Sequence, residues 1–209
     1  MDLSHPINSV TSPLTGRVFE VLAGTTQALS GGDISRLAGE GSRAGIWKAL
    51  ERLEGQGLVH ADRRRSATYY CANREHLAWP AIEQLVGLRK VLRNRLAHEI
   101  DTWRVSPLHA SMFGSAARGD SDAESDVDLL LVRPETLDDG DEAAWDAQLD
   151  GLRERVRLLT GNQAQTFALT PSRLLEHIRA EDLIVANWRR DGIVLAGPPL
   201  GSFIGTLRR

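Results

Sequence analysis

The sequence contains a single cysteine, Cys71, and no apolar run near the ~20 residues that a membrane-spanning helix needs. One cysteine excludes an internal disulfide and every zinc module built on several cysteines, and it suits a reducing compartment. The first ten residues, MDLSHPINSV, hold neither a basic cluster nor a hydrophobic stretch, so we predict no secretory signal. We therefore expect a cytoplasmic protein with no membrane partner.

The net charge is small, −3 over 209 residues, but it is unevenly distributed. Between Arg36 and Arg74, eight basic residues stand against four acidic ones, whereas between Gly119 and Asp150 twelve acidic residues stand against one arginine. A basic segment suits the phosphates of nucleic acid, while a run of carboxylates repels them unless cations intervene. The asymmetry predicts two modules with different partners.

The first third of the chain has the pattern of three short helices and a hairpin. We predict a flexible arm over residues 1–13, which show no periodicity, and a domain over residues 14–76. In that domain Ser42 can cap the third helix after a glycine turn, and strands are expected around Leu58-Val59 and Thr68–Tyr70. Three helices followed by a hairpin with a basic tip are typical of a winged helix-turn-helix.

The segment Asp33–Ala72 resembles the winged-helix domains of bacterial transcription regulators, above all in Ser42–Val59, SRAGIWKALERLEGQGLV. The third helix fits the major groove of double-stranded DNA, and the hairpin tip can grip phosphate or enter the minor groove. The predicted DNA-binding residues are Ser42, Arg43 and Lys48 on the helix and Arg63, Arg64 and Arg65 at the tip. The alternative is a domain that only contacts protein and whose arginines form a solvated loop.

Residues 77–105 form the longest helical pattern, with Leu85, Leu88, Leu92 and Leu96 among its apolar positions. The predicted helix can link the two modules, form the seam of a homodimer, or pack on its own domain. We favour a linker that also makes a homodimer, because winged-helix proteins often read two half-sites.

Strands and helices alternate after Pro107, which predicts a mixed α/β domain over residues 106–209. The predicted strands are Leu108–Phe113, Asp126–Val132, Gln163–Leu169 and, at the end of the domain, Ile193–Ala196. With the winged helix and the linker helix, the chain as a whole is expected to belong to the α+β class.

The segment Phe113–Val132, FGSAARGDSDAESDVDLLLV, carries the residues most suggestive of chemistry. Asp126 and Asp128 are two apart on a predicted strand, so both carboxylates project from one face, and a divalent cation between them relieves their repulsion. Gly114 and Ser115 follow the preceding strand and can offer backbone and hydroxyl donors to an anion, with Arg118 nearby. An anion-binding turn beside paired carboxylates is what metal-assisted phosphoryl transfer requires.

The pattern Gly114-Ser115…Arg118-Gly119…Ser125-Asp126-Val127-Asp128-Leu129 resembles the signature of the polymerase β-like nucleotidyltransferases, in particular the small bacterial minimal ones. The resemblance covers about Leu108–Gly197. It implies that Gly114, Ser115, Arg118 and Ser125 bind a nucleoside triphosphate, and that Asp126 and Asp128 are catalytic and bind Mg²⁺ or Mn²⁺. It also implies transfer of a nucleoside monophosphate to a hydroxyl, with release of pyrophosphate.

The sequence departs from that family at a third carboxylate, which is usually supplied by the next strand. Gln163 and Gln165 stand where the acid is expected. A glutamine carbonyl can ligate a metal, but a neutral amide cannot serve as a general base. Asp120, Asp122 or Glu124 are possible substitutes, although the sequence does not show that one of them takes this place.

The sequence therefore leaves three functions open. The first is a DNA-binding nucleotidyltransferase whose acceptor is a protein side chain, an RNA end or a small molecule. The second is a transcription regulator whose nucleotidyltransferase-like half has lost turnover and senses a nucleotide or holds a partner. The third makes the protein one half of a toxin–antitoxin pair.

Overall fold

The computed structural model describes residues 1–39 and 41–207; Glu40, Arg208 and Arg209, which the predicted domains include, lie outside the described residues. The described chain forms two compact units. One comprises residues 5–88, and the other comprises residues 1–4 together with residues 89–209. Helices and two β-sheets occur together, so the fold is α+β, as the sequence predicts.

The unit of residues 5–88 combines helices with a small antiparallel sheet. Its elements are a 3-10 helix over Pro6–Ser9, α1 over Pro13–Ala23, β1 over Leu29–Ser30, α2 over Gly31–Leu37, α3 over Arg43–Gly55, β2 over Val59–Arg63, β3 over Thr68–Ala72 and α4 over Trp79–Val86. The strand order is β1-β3-β2. The core is apolar and includes Leu22, Ile34, Ile46, Leu50 and Leu53.

Serine caps fix where two of these helices begin. The hydroxyl of Ser30 accepts a hydrogen bond from the amide of Asp33 at 3.1 Å, and that of Ser42 accepts one from the amide of Gly45, also at 3.1 Å. Each serine thereby satisfies an amide that has no partner inside its own helix. The predicted role of Ser42 as a cap is therefore confirmed.

The first thirteen residues are not the loose arm predicted from their composition. Leu3 and Ile7 are each 1% exposed. Leu3 packs in the core of the unit of residues 89–209, and Ile7 packs in the core of residues 5–88. Two isolated apolar side chains give no periodic pattern from which structure could be predicted. Their burial nevertheless holds the segment against the two cores.

The long helix predicted over residues 77–105 is two helices. Helix α4 ends at Val86, and α5 runs from Leu88 to Asp101, with the poor helix former Gly87 between them. In α5, the side chains of Leu92 and Leu96 are buried in their own unit. These two leucines pack on their own unit, and the linker and homodimer interpretations of this segment stay predictions.

The unit of residues 89–209 is built on a four-stranded sheet with the order β6-β5-β4-β7. Its remaining elements are β4 over His109–Phe113, α6 over Gly114–Arg118, β5 over Val127–Val132, α7 over Asp139–Thr160, β6 over Ala164–Leu169, α8 over Pro171–Arg179, α9 over Leu183–Asp191, β7 over Ile193–Ala196 and α10 over Leu200–Leu207. Strands β5 and β6 are parallel, and the other pairs are antiparallel.

Alternating side chains of β5 enter two different cores. Val127, Leu129 and Leu131 pack in the core that contains residues of α5 and α7. Leu130 and Val132 pack in the core that contains residues of α8, α9 and α10. Because side chains alternate along a strand, Asp128 belongs to the second face, at the end of β5 where the covering helices leave it half-exposed.

Within residues 1–39 and 41–207, no helix is long and apolar enough to cross a membrane.

Candidate active site in the unit of residues 89–209

The site begins at Gly114, where β4 ends. Phe113, the last residue of β4, is paired with Asp128 on β5. Gly114 has a φ of +71°, and a Cβ built there would lie 2.2 Å from Oδ2 of Asp128. A glycine is therefore required both by the backbone conformation and by the space that the carboxylate occupies. The predicted anion-binding turn and the second predicted catalytic acid are direct neighbours.

Asp126 and Asp128 lie on either side of the fully buried Val127 at the start of β5. Burial raises the pKa of the Asp128 carboxyl, and the negative charge of Asp126 raises it further. The positive charge of Arg118 acts in the opposite direction. Asp126 therefore acts electrostatically on Asp128, from which only Val127 separates it in the chain.

Gln165 is the residue of β6 that lies beside Asp128. The parallel register pairs Asp128 with Gln165, and the amide of Val127 donates to the carbonyl of Gln163 at 2.8 Å. In-register neighbours on adjacent strands share a face of the sheet, so the side chain of Gln165 lies next to that of Asp128. Both glutamines are exposed. The neutral amide of Gln165 therefore stands beside Asp128, where the family resemblance predicts a third carboxylate.

Arg118 is held by carboxylates rather than left free for a phosphate. Its Nε donates to Oδ2 of Asp120 at 3.0 Å, and its Nη1 donates to Oδ2 of Asp191 at 2.7 Å. The Asp191 side chain is 2% exposed and also accepts a 2.7 Å hydrogen bond from Nε of Arg190. The hydrogen bonds from Arg190 and Arg118 lower the pKa of Asp191 to about 2. This network joins α6 to α9, and sequence reasoning missed the part that Asp191 plays in it.

Ser125 closes the loop that precedes Asp126. Its hydroxyl donates to Oδ1 of Asp122 at 2.7 Å and accepts from the amide of Asp122 at 2.9 Å. Hydrogen bonding to Ser125 lowers the pKa of Asp122. The Asn162 side chain, 4% exposed as a residue, donates from Nδ2 to the carbonyl of Ser125 at 2.8 Å and to that of Ala123 at 3.3 Å. Asn162 therefore fixes the backbone just before Asp126, the first predicted catalytic acid, and no local sequence pattern indicates this contact.

The acids suggested as substitutes for the third carboxylate have other partners or lie exposed. Asp120 binds Arg118, Asp122 binds Ser125, and Glu124 is exposed. In the described ranges, no group of three His, Cys, Asp or Glu side chains is placed to hold a metal ion. Mg²⁺ commonly takes only one or two carboxylates and completes its shell with water and substrate phosphate oxygens. The carboxylates of Asp126 and Asp128 fit that kind of ligation, with the amide oxygen of Gln165 as a further donor.

The residues predicted to bind DNA lie in the other unit and fall into two groups. Arg63 is bound to both carboxylate oxygens of Glu54, at 2.7 and 2.8 Å. Arg64 is bound to Asp62 at 2.8 Å, and its guanidinium lies 4.7 Å from the centre of the Tyr69 ring. The exposed Arg43, Lys48 and Arg65 have no ion-pair partner in the part of the chain that the structure describes.

In a comparison with protein families, residues 84–178 match the model of the nucleotidyltransferase domain. No curated protein and no solved structure matches the chain. The matched range covers a little less than half of the sequence and contains Gly114, Asp126, Asp128 and Gln165. It begins earlier and ends earlier than the range of the resemblance found in the sequence. Residues 84–178 are therefore similar to a nucleotidyltransferase domain, and the site described above lies inside that similarity.

Proposed function

We propose that the unit of residues 89–209 transfers a nucleoside monophosphate from a nucleoside triphosphate to a hydroxyl group. The observation that carries this proposal is the contact between the Gly114 turn and the Asp128 carboxylate, with Asp126 beside it, inside the range similar to nucleotidyltransferases. The hydroxyl oxygen bonds to the α-phosphorus, the bond from that phosphorus to the bridging oxygen breaks, and pyrophosphate leaves with the electron pair.

Asp126, Asp128 and the amide oxygen of Gln165 are the residues that would hold Mg²⁺ or Mn²⁺. When bound, the cation supplies positive charge to the attacking and the departing oxygen. Ser115 is half-buried, and its hydroxyl makes no hydrogen bond within the described residues, so it is available to a phosphate oxygen. Gln165 is neutral and takes no proton, so the proton of the acceptor hydroxyl passes to water.

The test is incorporation of label from α-labelled nucleoside triphosphates, by the full chain with Mg²⁺, into protein, RNA and small-molecule hydroxyls. We expect Asp126→Asn and Asp128→Asn to abolish incorporation. Asp146→Asn is the matched control, because Asp146 is exposed on α7 and has no ion-pair partner in the described chain. Incorporation that is unchanged in Asp126→Asn would overturn the proposal.

The glutamine beside Asp128 favours a second candidate, a domain that binds the nucleotide without turnover. In that case the triphosphate with Mg²⁺ raises the melting temperature of the wild-type chain, and no pyrophosphate is released. Pyrophosphate release that depends on Asp128 excludes this candidate.

For residues 5–88 we propose a winged helix that binds double-stranded DNA, so that the chain acts as a transcription regulator, as a homodimer on two half-sites. The proposal is supported by the succession of α2, α3 and the β2–β3 hairpin, and by β1, which pairs with β3. Arg43 and Lys48 on the exposed side of α3, and Arg65 beyond β2, suit phosphate contacts because they have no ion-pair partner among the described residues.

The test compares the salt dependence of DNA binding. The logarithm of the DNA-binding constant falls linearly with the logarithm of the salt concentration. If Arg43, Lys48 and Arg65 each contact a phosphate, changing all three to Gln makes this slope less steep by about 0.9 per contact. Arg179→Gln is the control, since Arg179 is an exposed arginine without an ion-pair partner in the described chain and lies in the other unit. A slope that is unchanged in the triple variant would contradict the proposed phosphate contacts of these three residues.

A further inference from the structure

The unit of residues 5–88 contains a cavity that none of the proposed functions uses. Its volume is about 490 Å³, which lies within the range of small-molecule sites. Residues of α1, of β1 and of the end of α2 line it, and they include the apolar side chains of Val21, Leu29 and Leu37. Leu37 is 52% exposed. An apolar group bound in this cavity would therefore remove leucine surface from water, which favours binding.

Arg17 contributes a positive charge to the wall of the same cavity. Arg17 is half-buried and makes no hydrogen bond and no ion pair with any described residue. Glu20 lies three positions further along α1, at a spacing that suits an ion pair within a helix. Its Oε2, however, lies 2.8 Å from Nδ1 of His5. The guanidinium of Arg17 is therefore left without a counter-ion among the described residues.

The charges around the cavity suit a ligand with one negative charge. A guanidinium is planar, and its N–H donors match the two oxygens of a carboxylate. A phosphate monoester carries a charge of about −1.5 to −2 at neutral pH, and the described lining residues offer no further arginine or lysine to balance it. The additional charge would also be repelled by Glu20, which lines the same cavity. Charge balance therefore favours a carboxylate over a phosphate.

We propose that this cavity binds a small amphipathic carboxylate. Arg17 binds the carboxylate group, and the apolar part of the ligand packs on Val21, Leu29 and Leu37. The ligand thereby bridges α1 and the end of α2, two helices that share the apolar core of this unit with α3. The proposal does not depend on nucleotidyl transfer or on DNA binding, because none of these four residues belongs to the sites proposed for those activities.

The test measures how tightly the full chain binds three ligands of nearly equal size, by ligand-observed NMR titration. The ligands are hexanoate, hexanol and hexylamine, which share an apolar chain and differ in the charge at one end. We expect hexanoate to bind at least about tenfold more tightly than hexanol, because only the carboxylate makes a charge-assisted hydrogen bond with Arg17. Hexylamine should bind more weakly than hexanol, since its charge is repelled by the same arginine.

Three variants separate the two parts of the site. Arg17→Gln should reduce the affinity for hexanoate to that for hexanol and leave hexanol binding unchanged. Leu37→Ser should weaken the binding of both, and because Leu37 is exposed we expect this variant to fold. Arg65→Gln is the control and should change neither affinity. Arg65 is an exposed arginine of the same unit that has no ion-pair partner in the described chain and does not line the cavity.

Three results would overturn the proposal: no saturable binding of hexanoate, equal affinities of the wild type for hexanoate and hexanol, or a hexanoate affinity that is unchanged in folded Arg17→Gln. The second comparison uses only the wild type, so it holds even where a variant fails to fold. Displacement of hexanoate by a lower concentration of inorganic phosphate would overturn the choice of a carboxylate. Label incorporation and DNA binding are measured separately, so their failure leaves this proposal standing.

Discussion

Gly114 leaves open the space that the carboxylate of Asp128 fills, so the backbone of the turn and the side chain of the acid are adjacent without an intervening atom. The contact joins the end of β4 to the start of β5 across a paired position of the sheet. Because both ends of this contact are fixed by strand pairing, the relative placement of turn and acid is a property of the sheet and not of a mobile loop.

Gly114→Ala tests that relationship. The new methyl group would overlap Oδ2 of Asp128, and alanine at a φ of +71° adds strain of about 1–2 kcal/mol. We expect a lower free energy of unfolding, measured by urea denaturation, and loss of label incorporation. Gly151→Ala is the control, because a Cβ at this helical position of α7 meets nothing within 4 Å. It should gain up to about 1 kcal/mol of stability and keep its activity.

Gln165→Glu adds the carboxylate that the register places beside Asp128. Without metal, a third negative charge next to Asp126 and Asp128 should lower the melting temperature. Mg²⁺ should reverse that loss, and incorporation should rise by about 10²-fold if the new acid acts as a general base. Melting curves with and without Mg²⁺ measure the first effect and initial rates measure the second. An Mg²⁺ response no larger than that of the wild type would show that this position does not face the metal.

Asn162→Ala removes the donors that hold the loop before Asp126. It leaves the carbonyls of Ser125 and Ala123 without these bonds, at a cost of about 1–3 kcal/mol. If the loop positions Asp126, the Mg²⁺ concentration for half-maximal incorporation should also rise. Asn73→Ala is the matched control, because the side chain of Asn73 also donates to a backbone carbonyl, that of Gly57. Both of these residues lie in the unit of residues 5–88. The control should leave the Mg²⁺ dependence as it is.

His109 makes the stability of the same unit depend on pH. The fully buried ring donates from Nδ1 to the carbonyl of Pro198 at 2.9 Å, and its Nε2 then accepts from the hydroxyl of Ser111 at 3.0 Å. Burial lowers the pKa of this imidazole below its ordinary value of 6.5, against the effect of the bond to Pro198. The stabilisation from the neutral ring is complete above pH 6.5 and is lost as the pH falls below it, because only the unfolded chain then binds the proton readily.

His109→Asn keeps a side-chain donor for Pro198 and has no charge to gain. The difference in melting temperature between the wild type and this variant should therefore shrink between pH 7 and pH 5. A difference that stays constant over that range would show that His109 does not titrate there.

The strands of the site could be predicted to within a residue, most clearly β5 and β7, which consist almost entirely of apolar residues. The predicted Asp126–Val132 corresponds to β5 over Val127–Val132, and Ile193–Ala196 is β7 itself. The spacing of Asp126 and Asp128 predicts that their carboxylates share a face, although β5 begins at Val127, one residue after Asp126. Helix α10 was not predicted, because Gly201 and Gly205 weaken its pattern although Phe203 and Ile204 are buried.

The contacts that the sequence did not reveal join residues far apart in the chain. Arg118 and Asp191 are separated by 73 positions, and Asn162 lies 37 positions from Ser125. Periodicity reports which face of an element is buried, but it says nothing about which distant side chain meets that element. The motif predicts a phosphate role for Arg118, which stays a prediction, and only the fold shows the two acids that bind this arginine.

The positions of Leu3 and Ser4 decide whether a protease can separate the two units with a single cut. Leu3 lies in the core of the unit of residues 89–209, and Oγ of Ser4 is 3.1 Å from Oγ of Ser121 in the same unit. The polypeptide therefore passes between the units twice, once after Ser4 and once after Leu88. A protease that cuts only after Leu88 releases neither unit, because the amino-terminal fragment still contains Leu3, which lies in the core of the unit of residues 89–209.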